Sequence, residues 1–314
     1  MRKNCLLFVV GCAPLICGGC MGRMVDVGLL LPAREVGVDD GGGLTLIARI
    51  AHISDTQIID EQTPARFAGA GEILNSAWRP YESYSTQLFD GIVRAVNRVH
   101  ASGRPIDFLV HTGDACDNVQ SNELEGLLGV FDGTLIDPLS GPDDRSAESR
   151  PPPLLDQHAA FQAQGLYREA LHGELPSIPW YIVFGNHDVH SIGVFPIVTL
   201  FGGARIAPLP LSLRPGLVLP VRLDPLGSTG YAKVTPAQPG PPPVLGPPQA
   251  VTPNAGRAFF SRREFIRAMF ASASGPAGHG FVDPERGPSW YSVAPVDGLR
   301  LIGLDTNDRS VVLP

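Results

Sequence analysis

The feature that most constrains this chain is a recurring pattern of short apolar runs that each stop at a polar cluster. Leu44 to Ile53 stops at Ser54-Asp55-Thr56-Gln57. Phe108-Leu109-Val110 stops at His111-Thr112-Gly113-Asp114-Ala115-Cys116-Asp117-Asn118. Ile178 to Phe184 stops at Gly185-Asn186-His187-Asp188, and Leu299 to Leu304 at Asp305-Thr306-Asn307. Mostly apolar runs of this length fit buried strands. Between the first two, Ser83 to His100 has helical spacing, with Leu88, Ile92, Val93, Val96 and Val99 on one face. Strand, helix, strand in that order predicts a right-handed crossover and a parallel pair. In open parallel sheets ligands bind beyond the carboxyl ends of the strands, where these clusters lie. An acidic loop after a strand is also a common turn or helix cap. The chemical reading of Asp114 therefore depends on its neighbours.

The rest of the chain is less regular. Residues 131 to 154 read as an exposed insertion, Leu155 to Leu171 as a helix, and Ser261 to Ala271 as a short amphipathic helix. Trp290 to Val293 and Leu299 to Leu304 read as an antiparallel pair. From 202 to 253 proline is frequent, which forbids a long helix and predicts a surface excursion.

Charge narrows the function. The formal net charge is −7 and the only lysines are Lys3 and Lys233, so no basic patch for nucleic acid is present. Four of the five cysteines fall within the first twenty residues, leaving Cys116 without an internal disulfide partner. Those twenty residues resemble a leader: Arg2 and Lys3, an apolar stretch to Ile16, then Gly18-Gly19-Cys20. They predict export, with Cys20 a candidate for lipidation and membrane anchoring. A misassigned start codon would instead leave a cytoplasmic enzyme. Residues 21 to 43 read as a linker and 44 to 314 as the folded domain.

The clusters carry the donors of a metal site. Carboxylate, amide and imidazole groups suit Mn, Fe, Zn or Mg, and one carboxylate can bridge two cations. Such a pair clamps the oxygens of an in-line phosphoryl displacement.

Asp55-Thr56-Gln57, Gly113-Asp114-Ala115-Cys116-Asp117 and Gly185-Asn186-His187-Asp188 resemble, in order, three motifs of the calcineurin-like metallophosphoesterases: D-x-H, G-D-x-x-D and G-N-H-[DE]. The resemblance implies a four-layer α/β/β/α sandwich, incomplete at its C-terminus, that hydrolyses phosphomonoesters or phosphodiesters, among them nucleotide-like substrates. It implies that Asp114 bridges two divalent metals, that Asp55 and Gln57 serve the first and that Asn186 serves the second. A hydroxide between them would attack, His187 would donate a proton to the leaving group or stabilise charge on the phosphoryl oxygens, Asp117 would orient His187, and His190 is a candidate for touching substrate. Gln57 stands where the family usually has His, as in a bacterial subgroup that Ser54 to Arg66 resembles. Nothing after Asp305 supplies the family's later His or its G-H-x-H; Gly278-His279-Gly280-Phe281 has only the beginning of that motif. These departures predict a truncated domain. The competing expectations are an inactive domain with weak metal binding, or a surface lipoprotein that binds through the proline-rich stretch. His52, His111 and Cys116 read as packing residues, and Arg262, Arg263 and Arg267 as a solvated face.

Overall fold

The computed structural model describes residues 46–60, 63, 82–138, 140, 159–199 and 254–307, with short backbone pairings at 6–10, 205–206, 232–233, 236–238, 244–245 and 249–250. The linker, Cys20 and most of the proline-rich stretch lie outside the described residues.

Three strands form a parallel sheet in the order β1 (Ile50–Ile53), β2 (Phe108–His111), β3 (Trp180–Ile182). Ile50 pairs with Phe108 and Ile53 with His111; Leu109 pairs with Trp180 and His111 with Ile182. All of β2 and β3 is buried, as apolar runs in a central position require. The fold is therefore of the α/β class expected, with the three polar clusters leaving the same edge of one sheet.

Helix α1 (Ser85–Ala101) makes the crossover from β1 to β2. Its inward face is the expected one apart from Leu88: Val93 is buried and Ile92, Val96 and Val99 pack against the core. Phe89, Val93, Asn97 and His100 are buried, whereas Leu88 is 50% exposed. Asp90 and Asn97 can face inward because the 162–167 segment supplies their hydrogen bonds. Gln164 N–H donates to Asp90 Oδ1 at 2.8 Å and Tyr167 N–H to Asn97 Oδ1 at 2.8 Å, while Asn97 Nδ2 donates to the Gly165 carbonyl at 2.8 Å. These bonds also explain why no long helix forms among the described residues 159–171 of the expected helix Leu155 to Leu171. Where described, that segment is a strand pair of Phe161–Gln162 with Leu135–Ile136, a loop, and one helical turn at Glu169–His172. The expected insertion at 131 starts inside the core, since Phe131 and Ile136 are buried. A helix unforeseen from the pattern, α2 (Ser121–Asp132), precedes it. Phe131 stacks on Trp180 of β3, ring centroids 4.1 Å apart.

Beyond the proline-rich stretch the chain returns to this core. Ser121 N–H donates to the Ala258 carbonyl at 3.0 Å, and Arg257, fully buried, pairs with Asp60 at 2.8 Å. Helix α3 (Arg262–Ala271) starts at a capping box in which Ser261 and Glu264 exchange hydrogen bonds. Phe265 packs on Phe184, joining α3 to the end of β3. The antiparallel pair β4 (Tyr291–Val296) and β5 (Leu299–Gly303) forms as expected, and Leu6–Val10, inside the leader-like segment, runs parallel along β5. The late arginines are less solvated than expected. Arg262 pairs with buried Asp305, Arg263 donates to the carbonyls of Pro284 and Gly287, and only Arg267 lies on an open face, paired with Glu285. Among the described residues no helix is long and apolar enough to cross a membrane.

Candidate active site

The loops after β1 and β2 zip together past the end of the sheet. Thr112 N–H donates to Ile53 at 3.0 Å, Asp55 N–H to Gly113 at 3.1 Å, Gln57 N–H to Asp114 at 2.9 Å and Asp117 N–H to Ile58 at 3.0 Å. Within this ladder Asp55, Gln57 and Asp114 all have left-handed backbones, with φ of 55°, 42° and 51°. Non-glycine residues reach that region only when their surroundings hold them there. The ladder provides that hold and turns the side chains of the two motifs toward one another.

His111 fixes the ladder from beneath. Gly113 N–H donates to its Nδ1 at 3.2 Å, so the ring proton sits on Nε2, 3.0 Å from Thr56 Oγ1, which donates to the Ala115 carbonyl at 3.1 Å. Both ring nitrogens are satisfied only in the neutral form. Complete burial, with His52 nearby, lowers the His111 pKa to about 3.

The third loop meets the second through two glycines. A side chain on Gly113 would collide with the Gly185 backbone, and one on Gly185 with Asp114. This contact is sealed by Asp188, which sequence reading left without a role. Its Oδ1 accepts from the Ala115 and Cys116 N–H groups, both at 2.9 Å, and its Oδ2 from Gly185 N–H at 2.8 Å. Asp188 is 1% exposed. Burial and the charge of Asp114 raise its pKa to about 7. Cys116 is buried packing, as expected, and burial pushes its thiol well up.

Six of the sequence-predicted residues converge on this edge. Asp55 is exposed, Gln57, Asn186 and His187 are half-buried, and Asp114 and Asp117 are buried. His187 N–H donates to Asp114 Oδ1 at 2.9 Å. The His187 ring nitrogen Nδ1 lies 3.0 Å from the main-chain carbonyl of Asp117 and 3.4 Å from its carboxylate. Burial works against a charge on this ring. The hydrogen bond and charge of Asp117, with the charge of Asp114, outweigh it and raise the pKa to about 9. The Asp114 carboxyl is raised as well, chiefly by burial, with His187 opposing and Asp55 adding to the rise. Asn186 Nδ2 donates to the Gly193 carbonyl at 3.1 Å, which leaves its amide oxygen as the atom able to meet a cation. His190 follows on the same loop, its N–H bonded to the Asn186 carbonyl at 2.9 Å. A cleft of about 270 Å³ opens beside Asp55 and Gln57, walled by Leu88, Phe89 and Ile92.

Among the described residues no group of three or more His, Cys, Asp or Glu side chains could hold a metal ion. The carboxylates that adjoin are Asp55 and Asp114, with Gln57 on the Asp55 loop and Asn186 next to His187 in the chain. The charge of Asp55 adds to the rise of the Asp114 pKa, and a cation between the two would relieve it, so this hard, oxygen-rich set fits a divalent ion. His279 takes no part. It is fully buried, stacked on Trp180 at 3.6 Å, with Nδ1 3.0 Å from the Trp180 carbonyl.

The fold is of the α/β class, a parallel sheet with acids, amides and a histidine in the loops at one edge. The family model for calcineurin-like phosphoesterases matches residues 48–216, and the chain belongs to that family. Its members hydrolyse phosphoric esters and generally use divalent metal ions. No match was found among curated proteins or among solved structures.

Proposed function

We propose that this protein is a phosphoesterase that hydrolyses a phosphomonoester or phosphodiester at a two-metal site. The observation that carries this reading is the adjoining Asp55 and Asp114 carboxylates, with the His187 imidazole bonded beside them. Asp114 would bridge, Asp55 and Gln57 would hold one cation, and Asn186 the other through its amide oxygen. Two bound cations would supply an activated water and neutralise charge on the phosphoryl oxygens. The work left to the chain is then proton delivery and orientation. With a pKa near 9, His187 carries its proton at neutral pH and can give it to a departing alkoxide. Asp117 holds the ring through its carbonyl and carboxylate, so the donating nitrogen would be Nε2. His190 is proposed to touch substrate, and the cleft beside Asp55 would receive the esterified group. Because the charged donors are only two, a single weakly held cation is the competing reading.

Metal analysis and an aryl phosphate assay with added Mn²⁺ test the proposal. Two tightly held metals per chain and turnover that disappears in Asp114→Asn are expected. One weak metal and no turnover would overturn it. Export through the leader-like segment, with lipid on Cys20, is part of the same proposal. N-terminal sequencing and mass analysis of cell-envelope protein check it, and an intact Met1 would refute it.

A further inference from the structure

The turn that orients His187 is itself in an unfavourable conformation. Val119, two residues after Asp117, has φ of 62°. A β-branched side chain in the left-handed region is a true outlier and is strained. Something must hold residues 117–120 there, and His187 depends on the result, because its Nδ1 meets the main-chain carbonyl of Asp117 at 3.0 Å. The backbone of this turn, as well as a side chain, sets the imidazole.

The group that holds it is Glu123, on the first turn of α2 and 1% exposed. Its Oε2 accepts from Asn118 N–H at 2.8 Å and from Gln120 N–H at 3.3 Å. Its Oε1 accepts from Asn118 Nδ2 at 3.1 Å and, at 3.4 Å, from the N–H of Asp60 on the loop after β1. A helix-capping glutamate needs only the bond to Gln120. The two bonds to Asn118 lie outside the helix and, together with the Gln120 bond, brace both sides of Val119. From the opposite side Phe260 N–H donates to the Val119 carbonyl at 3.0 Å, so the strained residue is gripped at both edges. Four donors from three residues surround this one buried carboxyl group, a cage that a shorter side chain cannot fill.

We infer that Glu123 is a positioning residue for His187, acting through the 117–120 turn. The role rests on the reading of His187 as proton donor, but the arrangement can be examined without turnover. In the intact chain the His187 Nδ1–H should give a slowly exchanging proton resonance, and the amides of Asn118 and Gln120 should exchange as slowly as those of α2. Glu123→Gln keeps the volume but can offer only one accepting oxygen. It is expected to broaden or remove the His187 signal and to lower kcat about 10–100-fold with KM changed less than threefold, the range seen when an orienting partner is lost. A merely structural role would lower the melting midpoint and leave kcat of the folded fraction intact. An unchanged His187 resonance in Glu123→Gln overturns the inference. If that variant does not fold, the unaltered chain decides: Asn118 and Gln120 amides that exchange like an open loop overturn the inference, and slow exchange supports it. Absence of hydrolysis by the unaltered chain would count against the proposed function alone, since the resonance is read in the resting protein.

Discussion

Two strand ends in this molecule look alike in sequence and behave differently in the fold. At one, Asp55 and Asp114 adjoin each other and the nearest partner capable of positive charge is the imidazole of His187. At the other, Asp305 is 1% exposed and held by the Arg262 guanidinium at 2.8 Å and by Asn307 N–H at 3.0 Å. A carboxylate bonded to a guanidinium has its charge compensated and is structural. A pair of adjoining carboxylates whose shared cationic partner is one imidazole has less of its charge compensated. The difference is one of company, and it separates a probe of function from a probe of stability.

The largest test replaces Asp114 with Asn. Hydrolysis should fall at least about 100-fold, the scale for loss of a charge-stabilising group. The melting midpoint should hold or rise, because a neutral amide relieves the repulsion with Asp55. Parallel activity and calorimetry check both halves, and a large loss of stability would erase the contrast. Next in size is Asp188→Asn. Three backbone donors lose part of their acceptor, for an expected cost of roughly 2–4 kcal/mol, read by denaturant unfolding, with weaker metal uptake as the two loops separate. Asp305→Asn should do the reverse of Asp114→Asn. It strands Arg262, which is 38% exposed at its side chain. The cost is therefore discounted to about 1–2 kcal/mol, with kcat within twofold. An Asp305 variant that loses turnover would break the comparison.

The smallest effect concerns pH. His111 has a folded pKa of about 3 against an ordinary value of 6.5. Below pH 6.5 the unfolded chain binds a proton that the folded chain refuses, so stability falls as pH drops from 6.5 toward 3. The slope is at most about 1.4 kcal/mol per pH unit. Asp188 and Glu123, raised to about 7 and about 8, act oppositely and favour the fold as pH falls. They are common to the unaltered chain and His111→Gln. The stability difference between these two, measured by urea unfolding from pH 7 to 5, should therefore shift in favour of the Gln variant. A difference independent of pH would show that His111 titrates normally.

Much of this arrangement was legible in the residues. The three β-strands end where the polar clusters begin, their order predicted the parallel sheet, and Asp114 and His187 do meet. The face of α1 was legible only in outline. Apolar spacing found Ile92, Val93, Val96 and Val99 but also chose the exposed Leu88, and it missed Asp90 and Asn97, which point inward because a loop more than sixty residues away bonds them. The roles of Asp188, Glu123 and Thr56 were hidden for the same reason. Each acts on backbone N–H or C=O groups, which look identical in every sequence. The sign that could have flagged Asp188 is its place in the third motif, beside a histidine.

By itself, then, the sequence determined where the strands stop and which donors stand at their ends, because apolar runs and glycine turns are local properties. Only the tertiary structure decided which acids remain uncompensated. Asp305 meets Arg262 from 43 residues earlier, whereas Asp55 meets Asp114. Charge compensation depends on distance through space, and no local pattern encodes it.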